Sequence, residues 1–236
     1  MKIDLKEING KFEKASAEQL LTWALEKFAP KIALASSFGA EDVVLIDLLS
    51  KTGPSTPVFT LDTGRLNEET YEVMDRIRKK YGISIESYFP DAIKVEALER
   101  QKGFYSFRES VENRKECCGI RKVEPLKRAL KGLDAWITGL RREQSVTRTA
   151  VDKIEANAAH DGMLKINPLA DWTQGDVWDY IRKNAVPYNK LHDLGYPSIG
   201  CAPCTRAVKA GEDIRAGRWW WENPEHKECG LHPPKK

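Results

Sequence analysis

The feature that most constrains this chain is a repeated alternation of short apolar runs with amphipathic stretches. KIALASS at 31–37 closes on serines, and Val43, Val44, Leu48 and Leu49 then follow at helical spacing. PVFTL at 57–61 is followed by a helical pattern carrying Tyr71, Met74, Ile77 and Tyr81, and ISIESY at 83–88 by a helix near 91–101. Strands separated by helices pair in parallel, and the helices cover both faces of the sheet, so the expected class is a three-layer α/β fold around a parallel sheet. AWITG at 135–139 and LKINPL at 164–169 bring the total to about five strands, and Thr173 with Asp176 opens a further helix through Val177, Tyr180 and Ile181. Ser16 and Gln19 form a capping-box pattern for an opening helix at 16–29 that ends before Pro30.

After Pro187 the periodicity fades into Gly, Pro and Trp-rich stretches. A chain of 236 residues can bury one substantial core, so residues 1–236 are read as a single domain. Its parts are the opening helix at 16–29, an α/β core at 31–185 and an irregular closing segment at 186–236. With 38 Lys and Arg against 35 Asp and Glu the net charge is +3, too balanced for a general nucleic-acid or anionic-lipid surface. No apolar run approaches a membrane span, and MKIDLKEINGKFEK lacks the apolar stretch of a signal peptide, so a cytoplasmic protein is expected.

Open α/β sheets bind ligands beyond the carboxyl ends of their strands. The loop after the first strand, Ser36-Ser37-Phe38-Gly39-Ala40-Glu41-Asp42, places small hydroxyl residues and a glycine before a helix N-terminus, where free N–H groups attract anions. It lacks the Gly-Lys-Ser/Thr of a Walker A motif, and taken alone it is equally a helix cap. Leu61-Asp62-Thr63-Gly64-Arg65 sets a carboxylate, a turn and a guanidinium at the next strand end, either to meet a ribose or phosphate or to form a structural turn. Gly139 to Ser145 leads from another strand end to Arg148, and Arg215 and Arg218 precede Trp219. Arginine forks bind phosphate and sulfate bidentately, so several in one cleft point to a polyanionic substrate, whereas singly each is a solvated charge.

Five cysteines are distributed as the adjacent pair Cys117 and Cys118, the C-x-x-C of Cys201 and Cys204, and the lone Cys229. In a reducing compartment such clusters are ligands or catalysts rather than disulfides, and their odd number points the same way. Four thiolates form a soft site for zinc or for an iron-sulfur cluster. Cys229 is flanked by His226, Lys227 and His232, whose positive charge would favour a thiolate and make it nucleophilic. The plainer reading is a surface thiol in a proline-ended tail.

Taken together, SSFGAED (36–42), LDTGRL (61–66), CCGIRKVEPL (117–126), ITGLRREQS (137–145), YPSIGCAPCT (196–205), GRWWWE (217–222) and KECGLH (227–232) resemble the iron-sulfur branch of the assimilatory APS/PAPS reductase family. The resemblance covers residues from about 30 to 232 in the family's order. It implies an adenine-nucleotide-hydrolase-like (PP-loop) fold with a nucleotide loop at Ser36, Ser37 and Gly39, continued by Leu61, Asp62, Gly64 and Arg65. It further implies a 4Fe-4S cluster on Cys117, Cys118, Cys201 and Cys204, and a mobile tail carrying Cys229 as nucleophile. Lys122, Arg148, Arg215 and Arg218 would contact the phosphosulfate, Arg148 subject to a one-residue shift in alignment. The implied reaction is reduction of adenosine 5′-phosphosulfate, with thioredoxin as electron donor.

Rival readings are a reductase that prefers the 3′-phosphorylated nucleotide or accepts both, a zinc-stabilised nucleic-acid module, and an RNA-modifying PP-loop enzyme. The adjacent Cys117-Cys118 pair does not match a zinc-knuckle spacing, and KECGLH has no evident use in RNA modification. Neither nucleic acid nor membrane is therefore expected as a partner; a homo-oligomer is compatible with the sequence.

Overall fold

In a computed structural model of the chain, the structure describes residues 4–145, 148–157, 162–223 and 231. Six strands, β1 (Ile32–Ala35), β2 (Val58–Leu61), β3 (Ile85–Tyr88), β4 (Ala135–Ile137), β5 (Ile154–Asn157) and β6 (Met163–Ile166), form one sheet in the order β3-β2-β1-β4-β6-β5. β1 pairs in parallel with β2 and β4, and β4 with β6, in the register Ile32↔Ala135 and Ala135↔Leu164. The expectation of about five parallel strands needs one correction. Strand β5 is a sixth, and it runs antiparallel to β6 with Ile154 opposite Ile166. Its charged Glu155 disguises it in the sequence; that carboxylate is buried and pairs with Lys165 of β6 at 2.6 Å.

The helices are α1 (Leu5–Phe12), α2 (Ala17–Phe28), α3 (Ala40–Thr52), α4 (Glu68–Tyr81), α5 (Ala92–Lys102), α6 (Val111–Cys118), α7 (Glu124–Ala129) and α8 (Gln174–Lys183). Ser16 and Thr173 cap α2 and α8 through the capping boxes that the sequence predicts. Helix α1, capped by Asp4, lies in the segment that the sequence reading treats only as a charged start.

The chain divides into two compact units. The first comprises residues 1–59, 72–86 and 132–189, the second 60–71, 87–131 and 190–236, so the division falls within β2 and β3. In the first unit Leu34, Val43, Val44, Leu45, Trp136, Ile137, Ile166, Val177 and Ile181 are buried. α3 is buried nearly all round, which leaves Asp47 in an apolar setting. A buried carboxylate needs several donors. Asp47 accepts from Lys51 Nζ at 2.5 Å, from the Tyr180 hydroxyl of α8 at 2.7 Å and from the Tyr81 hydroxyl of α4 at 2.8 Å. One side chain thus joins three helices.

Burial pushes the Asp47 carboxyl up, but the Lys51, Tyr180 and Tyr81 hydrogen bonds outweigh it and hold it below its ordinary 3.8. A folded-state pKa below the unfolded one gives stability that is present above pH 3.8 and is lost as pH falls through the folded value. Asp47→Ala strands two hydroxyls, and is expected to lower stability by about 2 kcal/mol at neutral pH. In urea titrations the gap from wild type should shrink once pH falls below 3.8.

Candidate nucleotide loop and cysteine cavity

In the first unit, the strand order reverses between β1 and β4, since β2 and β3 step to one side of β1 while β4 and β6 step to the other. Loops at such a switch point diverge and leave a crevice at the carboxyl ends of the strands. The loop after β1 holds Ser36, Ser37 and Gly39, and Gly39 caps α3 without a side-chain hydrogen bond. Phe38 adopts φ of 57° and is fully buried, which turns the chain sharply into the helix. The turn is tied by Ser36 Oγ accepting from Phe38 N at 3.1 Å, and by Asp42 Oδ2 accepting from Ser37 N at 2.6 Å and Ser37 Oγ at 2.8 Å. Burial, helped by the neighbouring Glu41, pushes the Asp42 carboxyl up to about 6 against the pull of those two Ser37 bonds.

The loop after β4 supports this turn. Arg141 Nε donates to Glu41 at 2.9 Å and its Nη1 to Trp172 O at 3.2 Å. Gln144 donates to Gly139 O at 3.1 Å and accepts from Arg141 N at 3.2 Å and Arg148 Nη1 at 2.7 Å. Arg148 is therefore held in this loop, in the first unit. Gly139 packs directly on the nucleotide loop: a Cβ there would fall within van der Waals contact of Asp42 Oδ1 and 2.9 Å from Glu41 Cβ.

The second unit carries the other group. Leu61 ends β2; Asp62 accepts from Gly64 N at 2.8 Å and, through both oxygens, from the Tyr71 hydroxyl at 3.0 and 2.9 Å. Gly64 sits at φ of 70°, the left-handed region that favours glycine. Thr63 Oγ1 lies 3.2 Å from Cys201 Sγ, and Arg65 O accepts from Ala202 N at 2.8 Å, so this turn also holds the C-x-x-C loop.

Cys117, Cys118, Cys201 and Cys204 line one cavity. The adjacent pair ends α6, and a π-helical turn at Gly119–Val123 follows it. Such turns insert an extra residue into the helical ladder and recur at functional sites. Arg114, Arg121 and Lys122 share the cavity with the cysteines, and with Cys117 and Cys118 they fall at i, i+3, i+4, i+7 and i+8, the spacing of a single helical stripe. Arg65 and Arg218 complete the cationic lining.

Each guanidinium is placed by specific partners. Glu99 of α5 accepts from Arg65 at 2.7 Å and from Arg121 at 2.6 Å, and Arg121 also donates to Thr63 O at 2.7 Å. Arg114 donates to Glu222 at 2.6 Å in a pair that is almost wholly buried. Arg218 donates to Ile199 O at 3.2 Å and, like Arg114, stacks on Trp219, the two guanidinium carbons lying 4.6 and 4.7 Å from the ring centroid. Trp219 is held at φ of 40° in this arrangement, a rare conformation for a bulky residue. Among the described residues, Arg121 Nε and Arg218 Nε are buried without a hydrogen bond.

These charges act on the thiols. Burial pushes Cys201 up, but Lys122, the Thr63 hydroxyl, Arg218 and Arg121 outweigh it and hold the thiol below its usual range. Cys204 goes the other way, to about 12, through burial and then the proximity of Cys201. Burial likewise raises Cys117 despite Arg121 and Arg65. As the side chains stand, no three His, Cys, Asp or Glu donors among the described residues are gathered as around one metal ion.

Of the candidate site residues, Ser36, Ser37, Gly39 and Arg148 fall in the first unit. Leu61, Asp62, Gly64, Arg65, Lys122, Arg215, Arg218 and the four cysteines fall in the second. Arg215 donates its backbone N–H to Asp213, three residues before Arg218. Cys229 lies outside the described residues. Sequence reasoning missed Arg114, Arg121 and Glu99; the helical spacing to the cysteine pair marks the two arginines, whereas nothing local marks Glu99.

A loop at the switch point of a mostly parallel sheet flanked by helices defines an α/β protein of the PP-loop fold. Candida glabrata FMN adenylyltransferase shares this fold, with a TM-score of 0.56 at 15% identity over 93% of this chain and 75% of that one. Residues 31–207 match the phosphoadenosine phosphosulfate reductase domain, and the chain belongs to that family. A solved phosphoadenylyl-sulfate reductase from Candida auris superposes with a TM-score of 0.75 at 31% identity, covering 88% of this chain and 99% of that one. The adenosine 5′-phosphosulfate reductase of Allochromatium vinosum is 52% identical over 92% of this chain and 84% of its own length. 5′-Adenylylsulfate reductase 3 of Arabidopsis thaliana is 51% identical over 97% of this chain, which spans 51% of that longer protein.

Gly139→Ala is expected to force Asp42 and Glu41 out of place at a cost of about 1–3 kcal/mol. A lower urea midpoint together with weaker AMP binding in calorimetry is the expected result.

Proposed function

We propose that this chain reduces adenosine 5′-phosphosulfate to sulfite and AMP in assimilatory sulfate reduction, with Cys229 as nucleophile and thioredoxin as electron donor. What carries the reading is its likeness, over most of its length, to reductases named for that substrate. The convergence of four thiols and several cations on one cavity supports it.

The sulfur of the substrate is surrounded by anionic oxygens, so an approaching thiolate meets charge repulsion. Lys122, Arg148, Arg215 and Arg218 are the residues assigned to offset it and to stabilise the departing AMP, as fixed cations do best when they need not reorganise. The Cys229 thiolate forms a bond to the sulfate sulfur while the S–O bond to phosphate breaks, AMP taking the electron pair. The product is S-sulfocysteine. A thioredoxin thiolate then attacks the Cys229 sulfur, and sulfite leaves with the electron pair of the broken S–S bond. The second thioredoxin thiol resolves the mixed disulfide, returns the Cys229 thiolate and leaves thioredoxin oxidised by two electrons.

A 4Fe-4S cluster fits the donor set. Four cysteines on one cavity supply the soft thiolates it requires. The orphaned Nε atoms of Arg121 and Arg218 and the surrounding cations suit an anionic occupant. When bound on Cys117, Cys118, Cys201 and Cys204, it would supply a buried negative centre to order those cations. The step from thiolate to sulfite moves electron pairs among Cys229, substrate and thioredoxin. The reading places the protein in the cytoplasm.

Mass spectrometry of the holoprotein with adenosine 5′-phosphosulfate should reveal a sulfonate adduct that Cys229→Ser abolishes together with sulfite release. No adduct on the wild-type protein would sink the reading. Adduct formation that is faster from the 3′-phosphorylated nucleotide would reassign the substrate. Cys204→Ser is expected to lower bound iron and visible absorbance, while colourless wild-type protein with stoichiometric zinc would overturn the cluster assignment.

A further inference from the structure

Cys229 follows Asn223 by six residues, and a chain advances at most about 3.6 Å per residue, so its sulfur stays within about 25 Å of the Asn223 backbone. Any protein that removes a sulfonate from that sulfur must dock inside this radius, close to where the tail departs. The surface there is unusual. Phe104 is 67% exposed, Tyr105 59% and Trp220 38%, three large side chains in contact with water, and Trp220 stands three positions before Asn223.

Tyr105 and Trp220, together with Phe107 and Trp221, surround a single cation, and Phe104 adjoins them in the chain. The Arg108 guanidinium lies 4.9 Å from the Tyr105 ring, 5.4 Å from Trp220, 5.3 Å from Trp221 and 5.8 Å from Phe107. Its Nη2 donates to Pro203 O at 3.0 Å, the residue before Cys204, and Trp220 meets Trp221 edge-on at 4.8 Å. The rings are therefore held before any partner arrives, which lowers the cost of ordering them on binding. Trp, Tyr and Arg are the residues that carry most binding energy at protein interfaces, and transient redox encounters bury small areas. A few fixed aromatic anchors suit such an encounter. A large exposed apolar side chain such as Phe104, next in sequence to a cluster of this kind, marks an interaction surface rather than ordinary solvent exposure.

We propose that Phe104, Tyr105, Arg108 and Trp220 form the docking surface for the dithiol protein that reduces the Cys229 adduct. The inference rests on the reductase reading above and adds to it a place for the partner. The surface would seat a thioredoxin-type protein with its reactive thiol inside the radius that the Cys229 sulfur can reach.

The test compares wild-type holoprotein with Phe104→Ser/Tyr105→Ser and, separately, with Trp220→Ala. Phe104 and Tyr105 are mostly solvated, so the double variant should retain the wild-type melting temperature, and Trp220→Ala gives an independent second reading. Each is expected to raise KM for reduced bacterial thioredoxin about tenfold, the loss of one interface anchor. Single-turnover formation of the Cys229 adduct should be unchanged, as should release of sulfite by dithiothreitol. An unaltered KM for thioredoxin would overturn the docking proposal alone. So would an equal loss in adduct formation or in dithiothreitol release, because the aromatics would then serve the tail. Dissociation of a dimer with KM unchanged would show a self-association surface and reject the proposal. Failure of the wild type to form any adduct would remove the reductase reading, and the docking surface with it.

Discussion

The charge inside the cysteine cavity organises the second unit. Among the described residues five cations line it, Arg65, Arg114, Arg121, Lys122 and Arg218; Glu99 pairs with Arg65 and Arg121, and Glu222 with Arg114. Buried guanidinium groups without enough counter-charge are costly, and the cost falls only if something anionic shares the space. Thiolates do so in part. Cys201 held below its usual range is the local expression of that field, and the raised Cys204 and Cys117 show that the cations by themselves do not ionise every sulfur. Four thiolates that share one anionic centre would meet the imbalance, and the architecture of the cavity is consistent with that occupant.

The same imbalance explains how the elements around the cavity are arranged. Glu99 of α5 bridges Arg65 and Arg121, which come from the turn after β2 and from the π-helical turn. A single carboxylate between two guanidinium groups binds three segments in a way that an apolar contact of similar size would not. Arg114 and Arg218 both stack on Trp219, whose rare backbone conformation sits where these two cation–π contacts meet. In the first unit, Asp42 plays the corresponding part: a largely desolvated carboxylate that accepts from Ser37 shapes the loop after β1, and only a glycine at 139 can lie against it.

Much of this was legible in the sequence, for reasons that differ from element to element. Strands β1, β2, β4 and β6 announce themselves as apolar runs because both faces of a central strand are covered. Helices α2 and α8 are visible at their caps, where Ser16 and Thr173 have no competing role. β5 is hidden because Glu155 faces a buried partner, a pairing that only the register with β6 reveals. The cysteine set and the loops carry their chemistry in residue type, so motif reading reached them. Glu99 carries none by itself; its role arises because α5 lies against the π-helical turn, and no local pattern records that contact. Arg114 and Arg121 stand between these cases, concealed by an abundance of surface arginines yet marked by their phase relative to Cys117 and Cys118.

The root of the tail joins the two halves of the chemistry. Glu222 is buried against Arg114, one helical turn before the cysteine pair, so the chain beyond it starts from a point fixed to the cavity wall. A short tether confines its end group to a small volume, and a reaction between tethered partners proceeds at an effective concentration far above that of free thiol in solution. In the proposed reaction, transfer of the sulfonate to Cys229 would gain directly from that confinement. The second step needs the same sulfur to be reached by another protein, which confinement alone would hinder. On the docking proposal, aromatic anchors at the tether's origin would reconcile the two demands, because they would hold the reductant within the tail's reach.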